Sequence, residues 1–292
     1  MIQGIAEPQI YKYVNQMTNY GVKIVAGVSS GYKTTETDAI PIFDLVEEAI
    51  QEIGAIKTSV IFASSDRVLD IATEAIASGI EQLVIVSYNV APLDTIELFK
   101  RAKANNTLIL GPGSVGIVIP EKCSLGILHP QYFTAGKVGI IGYTPASIYE
   151  VAWALNKAQI GQSKAIALGD NKIANYNVIQ WLKMLDEDDS TEVIVLIQLA
   201  QDINYKALEF IAKAISKPVI CYLVGLQTPT NKVFRDSLNI LKNHLYNSIP
   251  ATNSYKQIVT TIEKTGAIVV EKPSKISQLV EEIKLKEKQK TS

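Results

Sequence analysis

Ser59-Val60-Ile61-Phe62-Ala63, then Val68, Ile71, Ala72, Ala75 and Ile76 at helical spacing, then Gln82-Leu83-Val84-Ile85-Val86: this stretch decides the fold class. Two short runs, rich in β-branched residues, flank one amphipathic segment. A strand apolar on both faces has to be covered on both, and an intervening helix covers one of them, so the segment reads as a parallel βαβ unit. Working outward, Lys23-Ile24-Val25-Ala26-Gly27-Val28 and Thr107-Leu108-Ile109-Leu110 read as further strands. Leu45, Val46, Ala49, Ile50 and Ile53, and later Ile96, Phe99 and Ala102, supply helical faces between them. The first half is therefore an open βα sheet.

A polar and aromatic connector, His129 to Gly136 with Pro130, interrupts the alternation, which restarts at Val138-Gly139-Ile140-Ile141-Gly142. Strands are expected at Ala165–Leu168, Val193–Ile197, Val219–Val224 and Ala267–Val270. Helical faces run through Val178, Leu182 and Leu185, through Leu208, Ile211, Ala212 and Ile215, and through Ile276, Leu279, Val280 and Ile283. The expected architecture is α/β, with two doubly wound domains at 1–130 and 136–285. Residues 286–292 form a polar tail expected to fray.

Composition narrows the function classes. The 292 residues are 47% hydrophobic and 20% charged, and 28 Lys and Arg against 29 Asp and Glu leave a net charge of −1. No global field exists to hold nucleic acid or an anionic membrane. Cys123 and Cys221 lack metal-ligand spacing and fall in different halves, so they read as small buried fillers. Without a long apolar run or a signal-like start, the expected location is the cytoplasm.

Ligands of doubly wound sheets collect beyond the carboxyl ends of the strands. Those loops here are Gly4, Ser29–Lys33, Ser64–Arg67, Ser87–Asn89 and Gly111–Gly116. Gly111-Pro112-Gly113-Ser114-Val115-Gly116 either admits a phosphate or pantetheine near backbone N–H groups or is simply a tight turn. Gly4-Ile5-Ala6-Glu7-Pro8-Gln9 offers one glycine where a dinucleotide loop has three, and Glu7 and Pro8 hinder a pyrophosphate by charge and by a missing N–H. His129 and His244 read either as solvated or capping residues or as a base or phosphate carrier. Asp170 reads as an Asx turn or a ligand contact. Tyr149, Trp153 and Trp181 read as core or interface packing. Asp186–Asp189 is a solvated acidic loop, so no metal site is expected.

The segment from Gly111-Pro112 through Gly116-Ile117-Val118-Ile119-Pro120-Glu121-Lys122-Cys123-Ser124-Leu125-Gly126-Ile127, and then Gly136-Lys137-Val138-Gly139-Ile140, resembles the succinyl-CoA synthetase (succinate–CoA ligase) α-subunit family. Gly27-Val28, Gly79-Ile80, Tyr149-Glu150, Gly161-Gln162-Ser163, Gly169-Asp170, Thr191-Glu192, Lys217-Pro218, Gly225 and Pro229 continue the resemblance in register from Gln3 to about Ile283. It implies an N-terminal Rossmann-like CoA-binding domain and a C-terminal flavodoxin-like ligase domain, paired with a nucleotide-grasping β subunit.

The same resemblance implies a degenerate site. The family's phosphohistidine register reads Arg235-Asp236-Ser237-Leu238, and the glutamate supporting that ring aligns with Leu199. The CoA-contacting loop aligns with Ala6-Glu7-Pro8-Gln9, the CoA-contacting lysine with Tyr32 beside Lys33, and a Thr-Glu pair with Tyr88-Asn89. Ser-Arg-Ser-Gly before Tyr149 has become Gly142-Tyr143-Thr144-Pro145, and the first strand looks shortened. Residues expected to face CoA or a nucleotide are Gln9, Lys33, Ser87, Asn89, Gly111 and Ser114, with Tyr149 on the substrate side. Two functions follow. One is a non-catalytic α-like protein acting as a structural or regulatory partner of a ligase β-subunit-like protein or of itself, binding CoA or nucleotide weakly at most. The other is an active acyl-CoA ligase in which Asp236 or His244 carries displaced chemistry.

Overall fold

The computed structural model describes residues 1–31, 40–169, 178–200, 202–225 and 255–291. Its first sheet comprises β1 (Ile2–Gln3), β2 (Gly27–Val28), β3 (Ile42–Phe43), β4 (Thr58–Ile61), β5 (Gln82–Ile85) and β6 (Leu108–Leu110) in the order β3-β2-β1-β4-β5-β6. All five pairings are parallel. Strand order 3-2-1-4-5-6 is that of a Rossmann sheet, whose direction of winding reverses between the first and fourth strands. β1 stands at that reversal although it is only two residues long.

The second sheet comprises β7 (Gly116–Ile119), β8 (Cys123–Gly126), β9 (Ala135–Gly142), β10 (Gln162–Ala167), β11 (Val193–Leu199), β12 (Val219–Val224) and β13 (Ile268–Val270), in the order β13-β12-β11-β9-β10-β7-β8. Its five later strands are parallel and follow the flavodoxin order, with β7 and β8 added antiparallel at one edge. The expected α/β class with two doubly wound sheets is the one found.

The sheets separate elsewhere than the connector suggests. The β7–β8 hairpin, assigned by the sequence reading to the first domain, hydrogen-bonds to β10 of the second. The change of sheet therefore falls between Leu110 and Gly116, and the segment 129–136 is fastened to the second sheet. Thr134 accepts a backbone bond from Gln162, and Asn156 donates to the Tyr132 carbonyl.

Helices α1 (Tyr11–Asn19), α2 (Val46–Ile53), α3 (Val68–Ala77) and α4 (Pro92–Ala104) cover the first sheet. A core of α2, α3 and α4 residues, with Val68, Ala72, Ala75, Ile76 and Leu98 buried, fills one face. In α4 the buried positions are Thr95, Leu98 and Ala102, while Ile96 is exposed, a phase shifted from the expected face. Helices α5 (Pro145–Lys157), α6 (Val178–Glu187), α7 (Tyr205–Ala214), α8 (Tyr255–Glu263) and α9 (Ser274–Thr291) accompany the second sheet. The expected tail is helical to Thr291, since Lys, Glu, Leu and Gln are good helix formers and extend α9 beyond the packed Ile276 and Val280. Ala212, expected on the apolar face of α7, is exposed.

One apolar core runs through both sheets, joining Ile2, Val14, Met17, Val60 and Leu110 to Ile141, Leu168, Trp181 and Leu196. Polar links cross the same seam. Gln16 Nε2 donates to the Leu128 carbonyl at 2.6 Å, Tyr20 Oη accepts from Glu121 N at 2.8 Å, and Trp181 Nε1 donates to the Ile109 carbonyl at 3.3 Å. A seam this apolar disfavours independent motion of the two units.

At the amino ends of the second sheet, Lys164 pairs with Asp188, which also accepts from Ser190 Oγ at 2.7 Å and Thr191 Oγ1 at 2.5 Å. Burial alone would raise the Asp188 pKa, but the bonds from Lys164, Thr191 and Ser190 and the lysine charge outweigh it and hold the carboxyl below its usual range. A depressed carboxyl pKa stabilises the fold above its unfolded value, near ~3.9, and that contribution disappears as the pH falls below it. Asp188→Asn is therefore expected to cost about 1.5–3 kcal/mol at neutral pH, the range for hydrogen bonds to a charged group. In urea titrations the difference from wild type should shrink steadily below pH 4, and a pH-independent difference would contradict this assignment.

Candidate functional site

The first switch point lies between the carboxyl ends of β1 and β4, where Gly4 meets Phe62. Gly4 N donates to Val28 O at 2.8 Å and Phe62 N donates to Gln3 O at 2.9 Å. Gly4 has φ +85°, and a Cβ there would stand 1.8 Å from the Phe62 carbonyl oxygen. That close approach turns the chain into the 3-10 turn Pro8–Ile10, which leads directly into α1. Glu7, Pro8 and Gln9 are exposed at its start. Pro8 contributes no N–H, and Glu7, the residue just before the turn, is exposed and makes no capping bond with its side chain, so it brings a negative charge to a rim where an anionic ligand would need donors.

The neighbouring loops are stapled together. Ser87 Oγ donates to the Ala63 carbonyl at 2.6 Å and accepts from Ala63 N at 3.0 Å, joining the loops after β4 and β5. Gly113 N then donates to Ser87 O at 2.8 Å, which brings in the loop after β6. Asn89 is exposed with φ +57°. Gln9, Ser87 and Asn89 thus belong to loops at one edge of the first sheet.

Gly111 and Ser114 serve packing. A Cβ on Gly111 would lie 2.3 Å from the Ile85 carbonyl, so the glycine allows β5 and the Gly111–Ser114 turn to touch. Ser114 is fully buried, donates to the Ala167 carbonyl of β10 and accepts from Gly116 N at 2.9 Å. Its hydroxyl is committed to holding the two sheets together, which favours the tight-turn reading of this loop. Gly169, just past β10, completes the contact: a Cβ there would come within 2.7 Å of the Pro112 carbonyl.

Tyr149 is half-buried on α5, with ring centroids 5.4 Å from Tyr132 and 5.8 Å from Phe133. Its Oη accepts from His129 N at 2.9 Å, and burial raises the phenol pKa. These contacts anchor the connector. Trp181 is buried, whereas Trp153 is 65% exposed with Lys157 Nζ 5.2 Å above its ring. Asp186 does not stand free as a solvated loop residue, because it accepts from Ser216 N and Lys217 N. Cys221 is buried and Cys123 partly so, and burial raises both thiols, Cys221 to about 12.

Leu199 ends β11, half-buried, its carbonyl accepting from Asp202 N at 2.9 Å. Tyr32, Lys33, Asp170, Pro229, Arg235, Asp236 and His244 lie outside the described residues. Among the described residues no three His, Cys, Asp or Glu side chains gather as a metal ion would require. Also among the described residues, no helix is long and apolar enough to cross a membrane.

Sequence reasoning gave no role to Gln198, the last residue but one of β11, or to Tyr143, which follows β9, and both are buried. The signal was legible in one case. Gln198 is the single polar residue in Val193-Ile194-Val195-Leu196-Ile197-Gln198-Leu199, and a buried amide in a buried strand needs partners.

Residues 1–88 match the family described as CoA binding domain. Over 284 residues the chain is 31% identical to succinate–CoA ligase [ADP-forming] subunit alpha 2 of Archaeoglobus fulgidus, covering 97% of this chain and 96% of that protein. Succinate–CoA ligase [ADP-forming] subunit alpha of Aquifex aeolicus is 30% identical over 299 residues, 100% of this chain and 95% of that one. Among solved structures, ATP citrate lyase of Methanothrix soehngenii superposes with a TM-score of 0.75 at 14% identity, covering 96% of this chain and 49% of that chain. An acetyl-coenzyme A synthetase of Ca. Korarchaeum cryptofilum gives 0.69 at 19% identity, over 92% and 57%. The chain spans about half the length of those two solved chains, and the likeness to them is one of fold.

Proposed function

The chain belongs to the succinate–CoA ligase α-subunit family, and from that premise we propose that it is a non-catalytic member, acting as a structural or regulatory partner of a ligase β-subunit-like protein and binding CoA or a nucleotide weakly at most. The observation that carries this reading is the first switch point. Its scaffold is intact, with Gly4 against Phe62 and Ser87 stapling adjacent loops. Its ligand-facing rim instead presents a carboxylate and a proline, Glu7 and Pro8, where a phosphate would need backbone donors. Leu199 supports the same reading, since a hydrocarbon at the end of β11 cannot orient an imidazole. The relatives' names describe them as alpha subunits of a larger enzyme, which supports a second chain as partner.

Calorimetry with CoA tests the proposal. Wild type is expected to bind weaker than low-micromolar, and Glu7→Gly combined with Pro8→Ser to tighten binding roughly tenfold, equivalent to ~1.4 kcal/mol. Removing a repelling charge and restoring an N–H donor both act in that direction. Low-micromolar affinity in the unmodified chain would count decisively against weak binding.

A further inference from the structure

The residue type at Ser87, and its place just after β5, suggest a ligand contact, but its hydrogen bonds point elsewhere. A serine hydroxyl has one proton to donate, and Ser87 directs it to the Ala63 carbonyl at 2.6 Å. The same oxygen accepts from Ala63 N at 3.0 Å. What remains is an acceptor, which has nothing to offer a phosphate.

Pairing of β4 with β5 ends at Ile61 beside Ile85, with Val86 N donating to Ile61 O at 3.1 Å. Ala63 stands two residues beyond, and the Ser87 hydroxyl satisfies both of its backbone polar groups, as a neighbouring strand would within the sheet. The staple is held from two sides. Next to Ala63, Phe62 N donates to Gln3 O and the Phe62 carbonyl meets Gly4. Ser87 O accepts from Gly113 N at 2.8 Å, and the following residue, Ser114, is tied to the Ala167 carbonyl of β10. Ser87 therefore links the first switch point to a fixed point on the second sheet.

Ala63 leads into Ser64–Arg67. Arg67 is exposed and is the one cation in Gly4–Gln9, Ser29–Gly31, Ser64–Arg67 and Ser87–Asn89, set against the carboxylates of Glu7 and Asp66. A lone cation holds a phosphate best from a loop already in place, because a loop ordered only on binding subtracts that cost from affinity. We propose that Ser87 is a positioning residue for CoA: it touches no ligand, and it acts by holding the loop from Ala63 so that Arg67 stays within reach of a phosphate. This rests on the reading of the first switch point as a weak CoA site, and it accounts for the affinity that Glu7 and Pro8 leave.

Calorimetry with CoA is run on the Glu7→Gly/Pro8→Ser chain, with and without a change at Ser87. Ser87→Ala is expected to weaken CoA roughly tenfold and Ser87→Thr to leave it unchanged. In an Arg67→Gln background Ser87→Ala should have no further effect on Kd, since the loop then has no charge to present. Hydrogen exchange in the ligand-free chain reads the staple itself: the Ala63 amide should exchange about tenfold faster in Ser87→Ala and at the wild-type rate in Ser87→Thr, with Val60 unchanged in both. The proposal is overturned by a fall in Tm without a change in Kd, by a threonine variant that behaves as alanine, by an equal loss in the Arg67→Gln background, or by unchanged Ala63 exchange. It is also overturned if the Glu7→Gly/Pro8→Ser chain binds no CoA, a result that leaves the non-catalytic reading standing. Low-micromolar affinity in the unmodified chain counts against weak binding alone, and the Ser87 comparison is then decided in that chain.

Discussion

Incubated with γ-labelled ATP and a succinate–CoA ligase β subunit, the chain is expected to take up no acid-labile phosphate and to form no succinyl-CoA above the β-subunit background. A phosphohistidine intermediate needs an imidazole where nucleotide and CoA sites meet, together with a carboxylate that orients the ring and balances its charge. The family resemblance places Asp236 at the first position and Leu199 at the second. Leu199 sits half-buried at the end of β11, its backbone bridged to Asp202, so its side chain offers hydrocarbon where an acceptor is required. Asp236→His alone is expected to remain inactive. Adding Leu199→Glu tests whether the two together restore labelling, and positioned acid–base groups of this kind are worth roughly 10²–10⁴-fold in rate. Robust succinyl-CoA formation by the unmodified chain would refute the non-catalytic reading. Activity abolished by His244→Ala would place the nucleophile there, and a hydroxylamine-labile label would point to an acyl phosphate on Asp236.

The elements legible in the sequence were those whose physics is local. Val219–Val224 was read to the residue, because a six-residue apolar run between Pro218 and Gly225 leaves no choice of boundary. Lys23–Val28 was overextended: only Gly27 and Val28 pair on both sides, with Ile2 and Gln3 and with Ile42 and Phe43. The β7–β8 hairpin was misassigned for a different reason. Its short strands pair antiparallel with β10, a strand more than forty residues later, and no periodicity within the hairpin reports which sheet it joins. The phase of α4 was also hidden, since packing against the rest of the domain buries Thr95, Leu98 and Ala102 and leaves Ile96 in solvent. At the candidate sites, residue type revealed Glu7, Pro8 and Leu199, but commitment of Ser114 and Ser87 to other loops depends on partners distant in the chain.

Gly4→Ala is expected to destabilise the protein by about 3–5 kcal/mol, whereas Gly21→Ala costs about 1–2 kcal/mol. The two glycines have nearly the same backbone, φ +85° and +91°. Strain from a Cβ in that region is therefore common to both substitutions and cancels in the comparison. Their surroundings differ: a Cβ at Gly21 meets nothing within 4 Å, and one at Gly4 would stand 1.8 Å from the Phe62 carbonyl oxygen. Relief there requires moving backbone in the centre of the first sheet, where Phe62 N bonds to Gln3 O and Gly4 N bonds to Val28 O. Loss of those bonds would spread to β2 and β4, which pair with β1 on either side. The same displacement shifts the turn bearing Glu7 and Pro8, so any residual CoA binding should weaken in parallel with stability. Urea unfolding of the two variants beside wild type measures the difference directly. Equal losses would mean that the Gly4 and Phe62 backbones do not meet in solution, and with them would go the close approach on which this description of the first switch point depends.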